Sequence, residues 1–250
     1  MLIVTKITDE SNQTVGFTTE YPDNKYIIKT TVYGFDIDSN LDITNPGKIT
    51  VFMRNGEQYT FECWADSVYC GQFGINVSKN GMYIYIISDE VGLWCYKYTG
   101  EIVWKTRYTT VGHVIINDNE TITCITSNKL IILNKNGKTV KQKNICHYHA
   151  ERASENFVYA AVNNSIMALI DSETLDILWQ SSLKILGMEK SRWAVMYDKY
   201  LIISGYGENG NSIFLSVKMS DNICEKCKYD KKLLEYNGFN SYIKTITELL

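Results

Sequence analysis

An all-β fold built from one repeated four-stranded unit is what this sequence predicts, and three observations carry it. The first is a hairpin written out in Gly92 to Tyr108, GLWCYKYTGEIVWKTRY. Tyr, Trp, Ile and Val suit a pleated, half-buried strand on either side of Thr99-Gly100. Gly100 can take a positive φ at no steric cost, which a tight two-residue turn requires. The second observation is recurrence. Turn signals at Glu10-Ser11, Asn55-Gly56, Thr99-Gly100, Asn136-Gly137, Glu173-Thr174 and Asp221-Asn222 return every 37 to 48 residues, close to the ~40–50 residues of a four-stranded blade. The third is composition. Eighteen Tyr and two Pro in 250 residues, with little helical periodicity, favour strands. Together they predict a single β-propeller domain over 1–250, of six four-stranded blades, with five blades as the alternative.

Each turn is flanked by strand-like runs. LIVTKIT, KITVFMR, GLWCYKY, KLIILNK, SIMALID and NSIFLSV precede the six turns. QTVGFTTEY, EQYTFECWA, EIVWKTRY, KTVKQKNI, DILWQSSL and NICEKCKY follow them. The stretches between hairpins supply two inner strands per blade: FGINVSK and MYIYIIS, TTVGHVII and TITCITSN, the ERASE region and NFVYAAV, SRWAVMY and KYLIISGY. Polar pairs such as Asn119-Glu120 and Asp198-Lys199 mark the turns between them. The link PDNKYIIKTTVYGFDIDSNLDITNPGK is longer, and its second strand is harder to place. The chain opens on a hairpin and ends on KKLLEYNGFNSYIKTITELL, so the two ends are expected to share one blade and leave no open edge.

Hydrophobic residues make up 45% and charged residues 21%, enough apolar material for a sizeable core. A formal net charge of −3 gives no reason to expect nucleic acid or an anionic membrane as partner. MLIVTKITDESNQ carries no apolar run long enough for a signal peptide or a membrane span. The seven Cys sit mostly inside strand-like runs and read as reduced, buried small hydrophobes. A cytoplasmic chain, monomeric and without a cofactor, is expected.

Two hairpins carry a further pattern. Thr99, Gly100 and Trp104 match the last fixed positions of A-x-D-x-x-T-G-x-x-x-W, and Asp171, Thr174 and Trp179 match again, with Leu175 in place of the glycine. Lys141 stands where the intervening hairpin would carry Trp. On these residues the chain resembles the pyrroloquinoline-quinone-type propeller repeat with its tryptophan-docking motif. The resemblance implies that Trp104 and Trp179 dock against the neighbouring blade, with Thr99, Gly100 and Thr174 shaping the turns. It implies a fold and no quinone.

Gly205-Tyr-Gly207-Glu-Asn-Gly210 fits G-x-G-x-x-G, but the strand-like NSIFLSV follows where a phosphate-binding helix is needed, so a hairpin loop is expected. Asp36, Asp38, Asn40 and Asp42 space oxygens as a calcium loop does. Leu41 and Gly47 occupy the places of its glycine and its bidentate glutamate, so a solvated acidic loop is favoured. Cys224-Glu-Lys-Cys227 has zinc or redox spacing once only, and on a strand its thiols point to opposite faces. His147 and His149 share a face if extended, and His113 falls on an innermost strand. Each is a candidate for a metal or for acid–base work, and each is more simply structural.

The function expected from the sequence is a non-enzymatic, protein-binding module, of bacterial immunity or inhibitor type by analogy. The alternatives are a small propeller enzyme, metal-assisted or using His113, His147 or His149, and a structural scaffold of a larger assembly.

Overall fold

The computed structural model describes residues 3–8, 14–20, 26–31, 47–53, 58–63, 75–78, 82–88, 92–106, 111–146 and 150–228. Every sheet in it is an antiparallel meander in chain order, as expected where consecutive strands pair with each other. The first contains β1 (Ile3–Thr8), β2 (Thr14–Glu20), β3 (Tyr26–Thr31), β4 (Gly47–Met53) and β5 (Gln58–Cys63). The second runs β6 (Ile75–Val77), β7 (Tyr83–Ser88), β8 (Gly92–Lys97) and β9 (Ile102–Lys105). The third is β10 (Val111–Ile116), β11 (Ile122–Thr126), β12 (Lys129–Leu133) and β13 (Thr139–Asn144). The fourth is β14 (Ala150–Arg152), β15 (Phe157–Asn163), β16 (Ile166–Asp171) and β17 (Ile177–Ser182). The fifth has three strands, β18 (Lys190–Tyr197), β19 (Tyr200–Tyr206) and β20 (Ser212–Lys218), and a short helix α1 (Asp221–Lys226) follows it.

The chain forms two compact units, one of Met1–Ile122 with Leu133–Thr139 and the other of Thr123–Ile132 with Val140–Leu250. In each, burial explains the sequence pattern. All five residues of β11 are buried, as are four of five in β12 and five of seven in β15. Strands covered on both faces read as continuous apolar runs, and these do. The last strands are different: β13 (TVKQKN) exposes five of its six residues. In the second unit Phe157, Tyr159, Leu169, Met196, Leu201 and Ile203 are core residues at no more than 2% exposure. Each such side chain stabilises the fold by about 1.5–3 kcal/mol relative to leaving it in water.

Two expectations need correcting. NICEKCKY is not an outer strand: Asp221 to Lys226 are helical, and Ser220 is extended immediately before them. The local chemistry agrees with the helix. Asp221 lies in the first turn and Lys226 in the last, each matching the helix dipole, and only Ile223 is β-branched. The other correction concerns the opening hairpin, expected as the outer half of a blade. Its second strand has a partner on each side, with Phe17 opposite both Lys6 and Thr30. The short Glu20–Tyr26 connection lets β3 fold straight back on β2, which joins the hairpin to one five-stranded sheet. The C-terminal segment expected to pair with that hairpin lies outside the described residues.

Candidate functional site

The hairpin turns are the best-defined local chemistry. Gly100 has φ +93°, and a Cβ built on it would stand 2.5 Å from Cβ of Phe61 on β5. Gly137 has φ +73°, and its Cβ would stand 2.6 Å from Cδ2 of Trp104. Glycine is therefore required at both places twice over, by backbone angle and by close approach. Trp104 is half-buried on β9, and its Nε1–H donates to the Lys135 carbonyl at 2.8 Å. The Tyr85 ring lies 5.9 Å from it. Trp104 thus rests on the β12–β13 turn.

The β16–β17 turn uses other residues for the same shape. One carboxylate oxygen of Asp171 accepts the Glu173 and Thr174 N–H groups, each at 2.9 Å. The Thr174 hydroxyl accepts the Asp176 N–H at 3.2 Å. Leu175 has φ 59° where the motif carries glycine, and is held by burial at 2% exposure. Onto this turn reach two lysines, Lys141 and Lys143, in contacts that the sequence does not announce. Lys141 Nζ donates to the Thr174 carbonyl, and Lys143 Nζ to the Leu175 carbonyl at 3.0 Å. Lys141 occupies the place of the missing Trp and makes the equivalent reach with a cation. Trp179 lies opposite Leu169, half-buried against the core of the second unit.

Of the candidate ligands the structure describes one. His113 is half-buried on β10, the first strand of its sheet. His147, His149, Asp36, Asp38 and Asn40 lie outside the described residues. Among the described residues no group of three or more His, Cys, Asp and Glu stands close enough to hold a metal ion. Gly205 to Gly210 close the β19–β20 hairpin, with Gly207 N–H donating to the Asn211 carbonyl at 3.0 Å, so the glycine pattern is a turn with no helix behind it. Buried Cys95 and Cys124 are both pushed up to about 12 by desolvation, which leaves them protonated and inert near neutral pH.

A polar cluster that no linear motif announces lies between the first strands of the fourth and fifth sheets. Glu151 on β14 stands directly opposite Tyr159 on β15. The Tyr159 hydroxyl meets the Ser191 hydroxyl at 2.9 Å. The β18–β19 register slips between Ser191 and Trp193, so Arg192 is the bulge residue, and its guanidinium lies 5.7 Å from the Tyr206 ring. Burial pushes the Glu151 carboxyl up to about 7, against the opposing pull of Arg192.

The loops at one end of the fifth sheet form the second feature. Residues 183–189 and the β19–β20 turn enclose a cleft of about 470 Å³, lined by Lys184, Gly187, Met188, Glu189, Glu208 and Asn211 among others. Ile185, between two of those residues in sequence, is 80% exposed.

No protein-family model matches the chain, and no curated protein matches it in sequence. Among solved structures it is similar to BamB from Moraxella catarrhalis, at 11% identity over 85% of this chain and 76% of that one, with a TM-score of 0.50. The WD40 domain of Toxoplasma gondii coronin gives 8% identity over 79% and 58%, at a TM-score of 0.48. The Neurospora crassa Pan2 WD40 domain gives 12% over 76% and 57%, at 0.42. The first likeness carries the fold: all-β, antiparallel sheets of the β-propeller class. Chemistry does not follow from a fold. Among the described residues no helix is long and apolar enough to cross a membrane.

Proposed function

We propose that this chain is a non-enzymatic β-propeller module that binds another protein. The observation that carries the reading is Ile185. Single exposed apolar residues are ordinary on protein surfaces. This one stands at a loop tip at 80% exposure, beside a cleft whose walls include Lys184, Glu189 and Glu208. An apolar anchor within a charged rim is the anatomy of a protein interface. The finer reading is an immunity- or inhibitor-type module that seats on its partner and blocks it from the cytosol.

The test is affinity capture from the native cell extract with the parent and with Ile185→Asp. A partner retained by the parent should fall at least about tenfold with the variant, since burying a charge at an apolar anchor is costly. Equal capture by both would overturn this surface. Co-expression of the captured partner with and without the chain then reads whether binding blocks it.

A further inference from the structure

Where the fifth sheet would take a fourth strand, the chain turns into α1, and this changes what Cys224 and Cys227 can do. On a strand, side chains three residues apart point to opposite faces. Here the Cys227 N–H donates to the Cys224 carbonyl at 3.1 Å, closing a four-residue turn. Such a turn holds its end Cα atoms within about 7 Å, and a disulfide spans about 4.4–6.8 Å between Cα atoms. Both thiols are free, both are half-buried, and both pack against the same apolar core.

We infer that Cys224 and Cys227 are a dithiol site that closes to an intrachain disulfide on reaction with a low-molecular-weight disulfide. The Cys224 thiolate attacks one sulfur of the small disulfide, forming a mixed disulfide and releasing one thiolate, which takes a proton from water. The Cys227 thiolate then attacks the Cys224 sulfur and expels the second thiolate. The protein loses two electrons and two protons, and the small disulfide is reduced to two thiols. Burial raises both cysteines, Cys227 to about 12, so closure is slow near neutral pH and quickens as pH rises. The site sits at a fastening point. The Asn156 side chain donates to the Lys226 carbonyl at 2.7 Å and accepts the Lys228 N–H at 2.9 Å. Glu155 N–H donates to the Lys228 carbonyl at 2.9 Å. The dithiol therefore spans the end of α1 and the start of the segment that ties down the β14–β15 turn.

The experiment uses the intact, folded protein treated with oxidised glutathione at mildly alkaline pH, quenched in acid, alkylated and digested with chymotrypsin. Mass spectrometry should find the peptide carrying both cysteines two hydrogens lighter and without alkyl groups, while the untreated control carries two. Cys227→Ser should stop at one glutathione on Cys224. Two alkyl groups after treatment, a glutathione on each sulfur, or a bond from either cysteine to Cys146 would each overturn the inference.

Discussion

Leu175 keeps φ at 59° on a β-turn because its side chain is buried at 2% exposure. The left-handed backbone costs a non-glycine residue roughly 1–2 kcal/mol, and burying a leucine returns about 1.5–3 kcal/mol. Leu175→Gly removes both terms and opens a cavity as well, so urea unfolding should show a net loss of about 1–2 kcal/mol. A gain would mean that strain outweighs packing at this turn. Glu151 carries a pH dependence whose sign follows from its environment. Its carboxyl titrates at about 7 when folded, above the ordinary 4.5, so the folded state holds the proton more tightly. Its contribution is complete below the ordinary value and is lost as pH rises toward and through 7. Glu151→Gln should therefore melt higher than the parent at pH 8 and close to it at pH 4, a gap on the order of 2 kcal/mol. Coincident melting curves at both pH values would refute the buried carboxyl.

At the scale of elements, the contact of β9 with the β12–β13 turn is open to a double-mutant cycle. Trp104→Ala should cost about 2 kcal/mol, below the full-core range because the ring is half-buried. Gly137→Ala should cost more than about 1 kcal/mol, since its Cβ meets the indole and its φ is positive. With the indole gone, only the backbone penalty is left, so the two costs should fall short of adding. Strict additivity in denaturant melts would mean that ring and turn do not bear on each other. The opening strands make a separate prediction. Paired on both sides from Gly16 to Glu20, β2 should protect successive amides over that stretch against hydrogen exchange, where an edge strand would protect alternate ones. The hairpins themselves were legible because glycine at positive φ and runs of β-branched and aromatic residues are local signals. α1 was not, since NICEKCKY follows a turn signal in step with the other hairpins, and a helix of six residues is too short for its 3.6-residue periodicity to stand out.

For the chain as a whole, the repeat length was legible and the grouping of strands was not. Turn spacing reports how far apart the hairpins are; it does not say which neighbour an intervening strand joins, and so β3 drew the first hairpin into its own sheet. The candidate site was least visible. Glu151, Ser191 and Arg192 come from strands about forty residues apart, the separation of one repeat. Only folding brings them together. The reach of Lys141 onto the Thr174 carbonyl was hidden for another reason: a cation in the place of an aromatic ring looks like a lost motif.

Phe61 against Gly100, Trp104 against Gly137 and Lys141 on Thr174 put two aromatic rings and a cation to one use, each reaching from the last strand of a sheet onto a turn. What recurs is a backbone seat, and the occupant is free to vary. One occupant can then be exchanged at a time without moving the backbone that receives it. A chain in this condition keeps 11% identity with a structure whose fold it still follows over most of its length.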